Sequence, residues 1–298
     1  MKNKEELSMA RYRLENDAIR IEIDSHGAEL KSLVKKETGA EYMWCADPKY
    51  WGRTSPVLFP FVGNVSGKQY RTKGKTYDMG QHGFARDMEF ALDSQSGNEI
   101  WFVLRSNEET LAKYPYEFVL KLGYRLIDTK VEVLWHVENP SKEELPFAIG
   151  GHPAFNCPIN EAEKQSDCYL KFDVDGTIVS QTIDGYLVGE ATKSYVLEDR
   201  RLRIDEHMFD NDALILADQG IRQASLCNAS GEAYLTIEMN APLFGVWRPA
   251  DPSAPFVCIE PWYGRSDRIG YEGELRDREY ENVIAAGATW EAGYAILV

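Results

Sequence analysis

The sequence is poor in the features that mark several large protein classes. It has five cysteines, Cys45, Cys157, Cys168, Cys227 and Cys258, an odd number without CxxC spacing. That pattern argues against a disulfide framework or a zinc motif and fits reduced thiols. No run of about 18 apolar residues occurs, so no helical membrane span is expected. Basic residues are scarce: 33 Lys plus Arg stand against 48 Asp plus Glu, a formal net charge of −15. An acidic surface of that kind repels nucleic acid and anionic membranes. Residues 1–10 are rich in Lys and Glu and lack the apolar core of a signal peptide. Together with the thiols this leads us to expect a cytoplasmic protein, frayed over residues 1–10. Several chemical signatures are missing too. Gly74-Lys75-Thr76 ends like a phosphate-binding loop, but Gln69 stands where its first glycine belongs. GxGxxG, HExxH, GxSxG and calcium-loop patterns do not occur, which removes support for nucleotide, metalloprotease and serine-hydrolase chemistry.

Aromatic residues, by contrast, are plentiful, with 7 Trp, 16 Tyr and 12 Phe. They suit sheet faces or a stacking ligand site. Period-2 runs recur at 19–23, 100–104, 117–126, 169–174, 213–217, 233–238 and 290–297, and Val131, Val133, Trp135 and Val137 alternate with Glu132 and Glu138. Turn signals such as Ser96-Gly97-Asn98 and Ala229-Ser230-Gly231 separate them. Only residues 107–114 read as helix. Strands without intervening helices predict an all-β fold, an antiparallel sandwich or barrel. No linker or composition break divides the chain, so one domain over residues 1–298 is expected.

Two of the five histidines sit where glycine and proline interrupt strands and let a ligand approach. His82 lies in Gly80-Gln81-His82-Gly83-Phe84-Ala85-Arg86-Asp87, and His152 in Gly150-Gly151-His152-Pro153-Ala154-Phe155-Asn156. His26, His136 and His207 have ordinary turn or strand contexts and read as structural. Glu260 ends the apolar run Phe256-Val257-Cys258-Ile259 and precedes Pro261-Trp262-Tyr263. A carboxylate there is costly unless paired, with Arg265 or Arg268 for instance, or used as a base whose pKa desolvation has raised. One carboxylate and two imidazoles suit a reaction that removes one proton while delivering another.

With those segments in view, the chain resembles the aldose 1-epimerase (galactose mutarotase) family, in particular its LacX-like branch. The resemblance rests on His82-Gly83-Phe84-Ala85-Arg86-Asp87, Gly151-His152-Pro153-Ala154-Phe155-Asn156, Asn211-Asp212-Ala213-Leu214 and Cys258-Ile259-Glu260-Pro261-Trp262-Tyr263-Gly264. Gly27-Ala28-Glu29-Leu30 and Pro56-Val57-Leu58-Phe59-Pro60 agree in order as well. The resemblance implies a large antiparallel β-sandwich, the galactose-mutarotase-like supersandwich. It also implies interconversion of the α and β anomers of a free aldose without metal or organic cofactor. By the family's pattern Glu260 takes the proton of the C1 hydroxyl, His152 protonates the ring oxygen, and His82 hydrogen-bonds near that oxygen. Asp212 matches a residue that binds sugar hydroxyls. The pattern also has an Arg after Phe-Pro-x-Val-Gly, where this chain carries Asn64. Arg86 is the first candidate to supply a guanidinium instead, with Arg53 and Arg71 weaker ones. Trp247 and Trp262 are candidate stacking platforms for the sugar.

The expected ligand is therefore a neutral aldohexose, and a homodimer is left open. A hexose 6-phosphate would need a cationic pocket, which net charge −15 disfavours. A non-catalytic carbohydrate-binding protein has no need of a base beside two imidazoles. A glycoside hydrolase would use two carboxylates.

Overall fold

The computed structural model describes residues 10–160 and 162–298. Nearly all of the expected frayed start therefore lies outside the described residues. The alternation read in Lys130–Glu138 is real: every second residue, Val131, Val133, Trp135 and Val137, is buried. This strand pairs along its whole length with Val119–Ile127 on one side and Thr289–Leu297 on the other. The three form the middle of a nine-stranded antiparallel sheet that runs from Arg201–Arg203 at one edge to Ala91–Ser96 at the other.

A second, eight-stranded sheet runs from Leu187–Val196 through Thr177–Asp184, Leu214–Ala217, Leu243–Trp247, Phe256–Tyr263 and Ile149–Gly151 to Val57–Leu58, with Ala154–Asn156 also paired to Phe256–Tyr263. The two sheets share one buried cluster. Val133 and Trp135 enter it from the first sheet, and Phe244, Val246, Val257 and Ile259 from the second. Phe172 and Phe244 meet between the sheets at 6.2 Å. Each such side chain contributes about 1.5–3 kcal/mol of burial free energy, so the sandwich is held mainly by this shared core. The all-β sandwich expected from the strand pattern is what forms.

Smaller elements fit their local sequences. Gln69–Thr72 and Lys75–Asp78 make a hairpin whose turn, Lys73-Gly74, has φ of 51° and 70°. That is a two-residue turn of the kind hairpins favour, and Gly74-Lys75 belongs to it. The helix Glu108–Lys113 falls where the sequence places one and starts with a capping box between Asn107 and Thr110. No helix among the described residues is long and apolar enough to cross a membrane.

Candidate active site

The site is built on the strand Phe256–Tyr263. Val257 and Ile259 enter the shared core, so Phe256, Cys258, Glu260 and Trp262 face the opposite side of the sheet. Loops cover that side and leave Glu260 only 1% exposed. Across from Glu260 stands Gly245, where a Cβ would come within 2.5 Å of the Trp262 ring. The missing side chain makes room for the indole in the floor of the site.

His152 leaves the end of Ile149–Gly151, tethered by its backbone N–H to Pro56 O at 3.1 Å. The segment it is tethered to is itself pinned: the Glu29 carboxylate accepts from Thr54 N and Ser55 N at 2.6 and 2.8 Å. The imidazole stacks on Trp51, with centroids 4.6 Å apart and planes 27° apart, and meets the Trp247 ring edge-on at 5.4 Å. Its Nε2 lies 3.3 Å from Glu260 Oε2. Arg265 and Arg268 both turn to Glu279, so Glu260's neighbour is an imidazole and not a guanidinium.

His82 occupies the left-handed region at φ 65°, followed by Gly83 at φ 71°. A Cβ on Gly83 would press to 2.3 Å from Phe59 O, so glycine is required for this close approach. Gly63 N–H donates to His82 Nδ1 at 3.0 Å. Nδ1 is therefore an acceptor, and the neutral ring carries its proton on Nε2 as a donor. The two imidazoles meet edge to face at 5.6 Å.

Burial sets the electrostatics. It pushes Glu260 well above the usual carboxylate range, helped by the nearby Asp212 carboxylate. The Trp262 indole N–H works weakly the other way without a well-formed hydrogen bond. Burial, reinforced by the Arg86 charge, lowers His152 to about 3. It also lowers His82, with the His152 and Arg86 charges adding to the effect. A neutral carboxyl therefore faces two neutral imidazoles in the site.

These groups line a cavity of about 590 Å³. The cavity also gathers Asp212, Arg86, Asn64, Trp247 and Trp262, so all eight residues singled out in the sequence meet there. Asp212, at φ 75°, accepts from Ala213 N–H at 2.8 Å, and burial raises its pKa. Arg86 donates to Gln81 O at 2.9 Å, and burial lowers its pKa to about 10. Trp262 packs with Leu58, Val62 and Leu243 as part of the floor, whereas Trp247 stands beside His152. The weaker guanidinium candidates go elsewhere. Arg53 pairs with Asp87 at 2.7 Å, and Arg71 donates to Glu272 O. His26 and His136 face Glu89 and Glu291, and His207 pairs with Asp210 at the cavity rim without lining the cavity itself. Sequence reasoning missed Trp51, Gln81, Ser266 and the exposed Tyr186 on the cavity wall. Trp51 had one available signal, the aromatic cluster Tyr50-Trp51 in a loop.

A model of the aldose 1-epimerase family matches residues 10–279. The chain belongs to that family. Protein LacX of Lactococcus lactis subsp. lactis, from the chromosome or the plasmid, is 30% identical over 295 residues, covering 96% of this chain and 98% of LacX. A galactose mutarotase related enzyme from Lactobacillus acidophilus superposes with a TM-score of 0.91 at 34% identity, over 97% of each chain. A galactose mutarotase-like protein from Lactobacillus casei ATCC 334 does so at 0.87 and 31%, over 97% of this chain and 99% of its own. Asn64 is among the residues that line the cavity. That residue is fastened by its backbone, its N–H to Ser266 Oγ at 2.8 Å and its carbonyl to Asp267 N–H at 2.9 Å.

Proposed function

We propose that this protein interconverts the α and β anomers of a free hexose by acid–base ring opening. The observation that carries the reading is the buried Glu260–His152 pair, 3.3 Å apart on the floor of a sugar-sized cavity beside a donor His82. Ring opening must take a proton from the C1 hydroxyl and give one to the ring oxygen. Glu260 as carboxylate takes the first, and His152 as imidazolium gives the second. The pair begins as an ion pair holding one proton and ends as neutral carboxyl and neutral imidazole holding one proton. Closure on the other face of the aldehyde reverses both transfers. Desolvation favours the neutral pair, so burial drives the transfers of ring opening once the ion pair has formed and makes forming that ion pair, and the reverse transfers of closure, correspondingly costlier. His82 donates through Nε2 near the ring oxygen. Asp212, Arg86 and Asn64 bind hydroxyls, and Trp247 and Trp262 offer apolar faces to the ring.

Arg86 is a cation in the cavity wall, which keeps a hexose 6-phosphate as the second substrate class to test. The experiment follows anomerisation of α-D-glucose, α-D-galactose and hexose 6-phosphates by polarimetry or NMR. Wild type exceeds the spontaneous rate on at least one sugar. Glu260→Gln and His152→Asn each lose about 10²–10⁴ in kcat, with a smaller change in KM. Full activity in Glu260→Gln removes it as the base, and a wild-type rate equal to buffer on every sugar removes the enzyme reading.

A further inference from the structure

Strand alternation puts Cys258 on the same face as Glu260, beside His152. One ligand atom from each of His152, Cys258 and Glu260 lies within 4.8 Å of the others, and all three residues are buried. Two of the available atoms, His152 Nδ1 and Glu260 Oε2, make no hydrogen bond. His152 Nε2 and Glu260 Oε2 are 3.3 Å apart. Zinc bonds to N and O of about 2.0–2.2 Å at the tetrahedral angle separate those two atoms by about 3.3–3.5 Å, so the pair already spans one tetrahedral edge. A Zn–S bond of about 2.3 Å asks for sulfur about 3.6 Å from each, and Cys258 supplies that third donor within the 4.8 Å cluster. His152 and Glu260 line the cavity, which gives an incoming cation its route to them.

We propose that His152, Cys258 and Glu260 form a reversible Zn²⁺ site whose occupation stops epimerisation. A mixed N, S and O donor set with one soft thiolate selects zinc over magnesium or calcium, which take oxygen ligands. The cation here is an inhibitor, not a cofactor. Binding requires thiolate, carboxylate and neutral imidazole, so the thiol proton and the single proton of the Glu260–His152 pair pass to buffer as the three metal bonds form. Metal and working proton are mutually exclusive. The inhibitory half of this inference rests on the function proposed above, whereas the binding half does not.

The test uses the full chain with Cys45→Ser, because Cys45 is an exposed thiol. Zn²⁺ binding is measured by competition with a chromophoric chelator, and Cd²⁺ is added separately to read the thiolate-to-metal charge-transfer band. One Zn²⁺ binds per chain, the Cd²⁺ band appears, and EDTA reverses both. Adding Cys258→Ser abolishes the band and weakens Zn²⁺ binding beyond the about 10–100-fold that loss of an outer-shell partner costs. The anomerisation rate, taken for each protein relative to its own metal-free rate, falls with the zinc-binding midpoint only when Cys258 is present. Absence of the Cd²⁺ band in the protein that retains Cys258, or Zn²⁺ affinity unchanged by Cys258→Ser, overturns the site. Cys258-dependent binding with an undiminished rate overturns the inhibition and, with it, the catalytic role of the pair. If no sugar is turned over at all, the functional reading fails and the band alone decides the site.

Discussion

In the proposed reaction Glu260 and His152 hold the working proton between them, and this sets how the rate should respond to pH. The active pair carries one proton. It gains a second only when His152 is protonated beside a neutral carboxyl, an event that burial and the Arg86 charge depress to about 3. It loses its only proton when Glu260 ionises beside neutral His152, an event that burial delays well above the usual carboxylate range. Pushing the two titrations apart widens the one-proton window. We therefore expect kcat/KM, corrected for spontaneous anomerisation, to fall by less than about twofold on acidification from the reference imidazole value of about 6.5 to about pH 5. A fall centred near that reference value on acidification would show a solvent-like His152 and overturn this account. Glu260, His152 and His82 were legible in the sequence because each breaks a local rule: histidines beside glycines, and a carboxylate after an apolar run, although the strand Phe256–Tyr263 continues through Pro261 and does not stop at Glu260 as the sequence suggested. Trp51 breaks none. It sits in a loop, and only the fold brings it to 4.6 Å from the His152 ring.

At the scale of elements, legibility followed exposure. Strands of the nine-stranded sheet with one covered face alternate and could be read, Lys130–Glu138 most clearly. The sheet that carries the site mostly could not. Phe256–Tyr263 is buried on both faces along nearly its whole length, so its period is erased, while Leu187–Val196 is polar and largely exposed at a sheet edge. Short strands such as Val57–Leu58 and Ile149–Gly151 hold too few residues to show a period. The same dense packing yields a prediction. Gly245→Ala adds a methyl 2.5 Å from the Trp262 ring, between two paired strands that cannot separate. Overpacking of this kind costs about 1–3 kcal/mol. Thermal unfolding should show a Tm lowered by a few degrees, and anomerisation should slow because the displaced indole is two residues from Glu260. An unchanged Tm and rate would mean that the floor is looser than the contact implies.

Across the whole molecule the formal charge of −15 is a surface property, and the interior follows a different rule. Arg278 lies buried between two buried carboxylates, 2.6 Å from Asp267 and 2.9 Å from Glu281, and ties the segment after the active-site strand to Ser66 through Asp267, which accepts Ser66 N–H at 2.8 Å. One guanidinium cannot neutralise two carboxylates away from water. Asp267 takes hydrogen bonds from both Arg278 and Ser66, whereas Glu281 Oε1 has no partner, so the proton settles on Glu281. Burial raises Glu281 to about 8, with Arg278 opposing the shift. The unfolded chain releases that proton near the ordinary value of about 4.3, so between the two values the folded state binds one proton more than the unfolded state. Glu281's contribution is complete below the unfolded value and declines as pH rises toward 8, with a slope near 1.4 kcal/mol per pH unit for one proton. Glu281→Gln keeps a neutral group of the same shape and removes the titration. Denaturant unfolding between pH 5 and about 8 should therefore show wild type losing stability relative to Glu281→Gln as pH rises. Parallel pH profiles for the two proteins would place the buried proton elsewhere in the network.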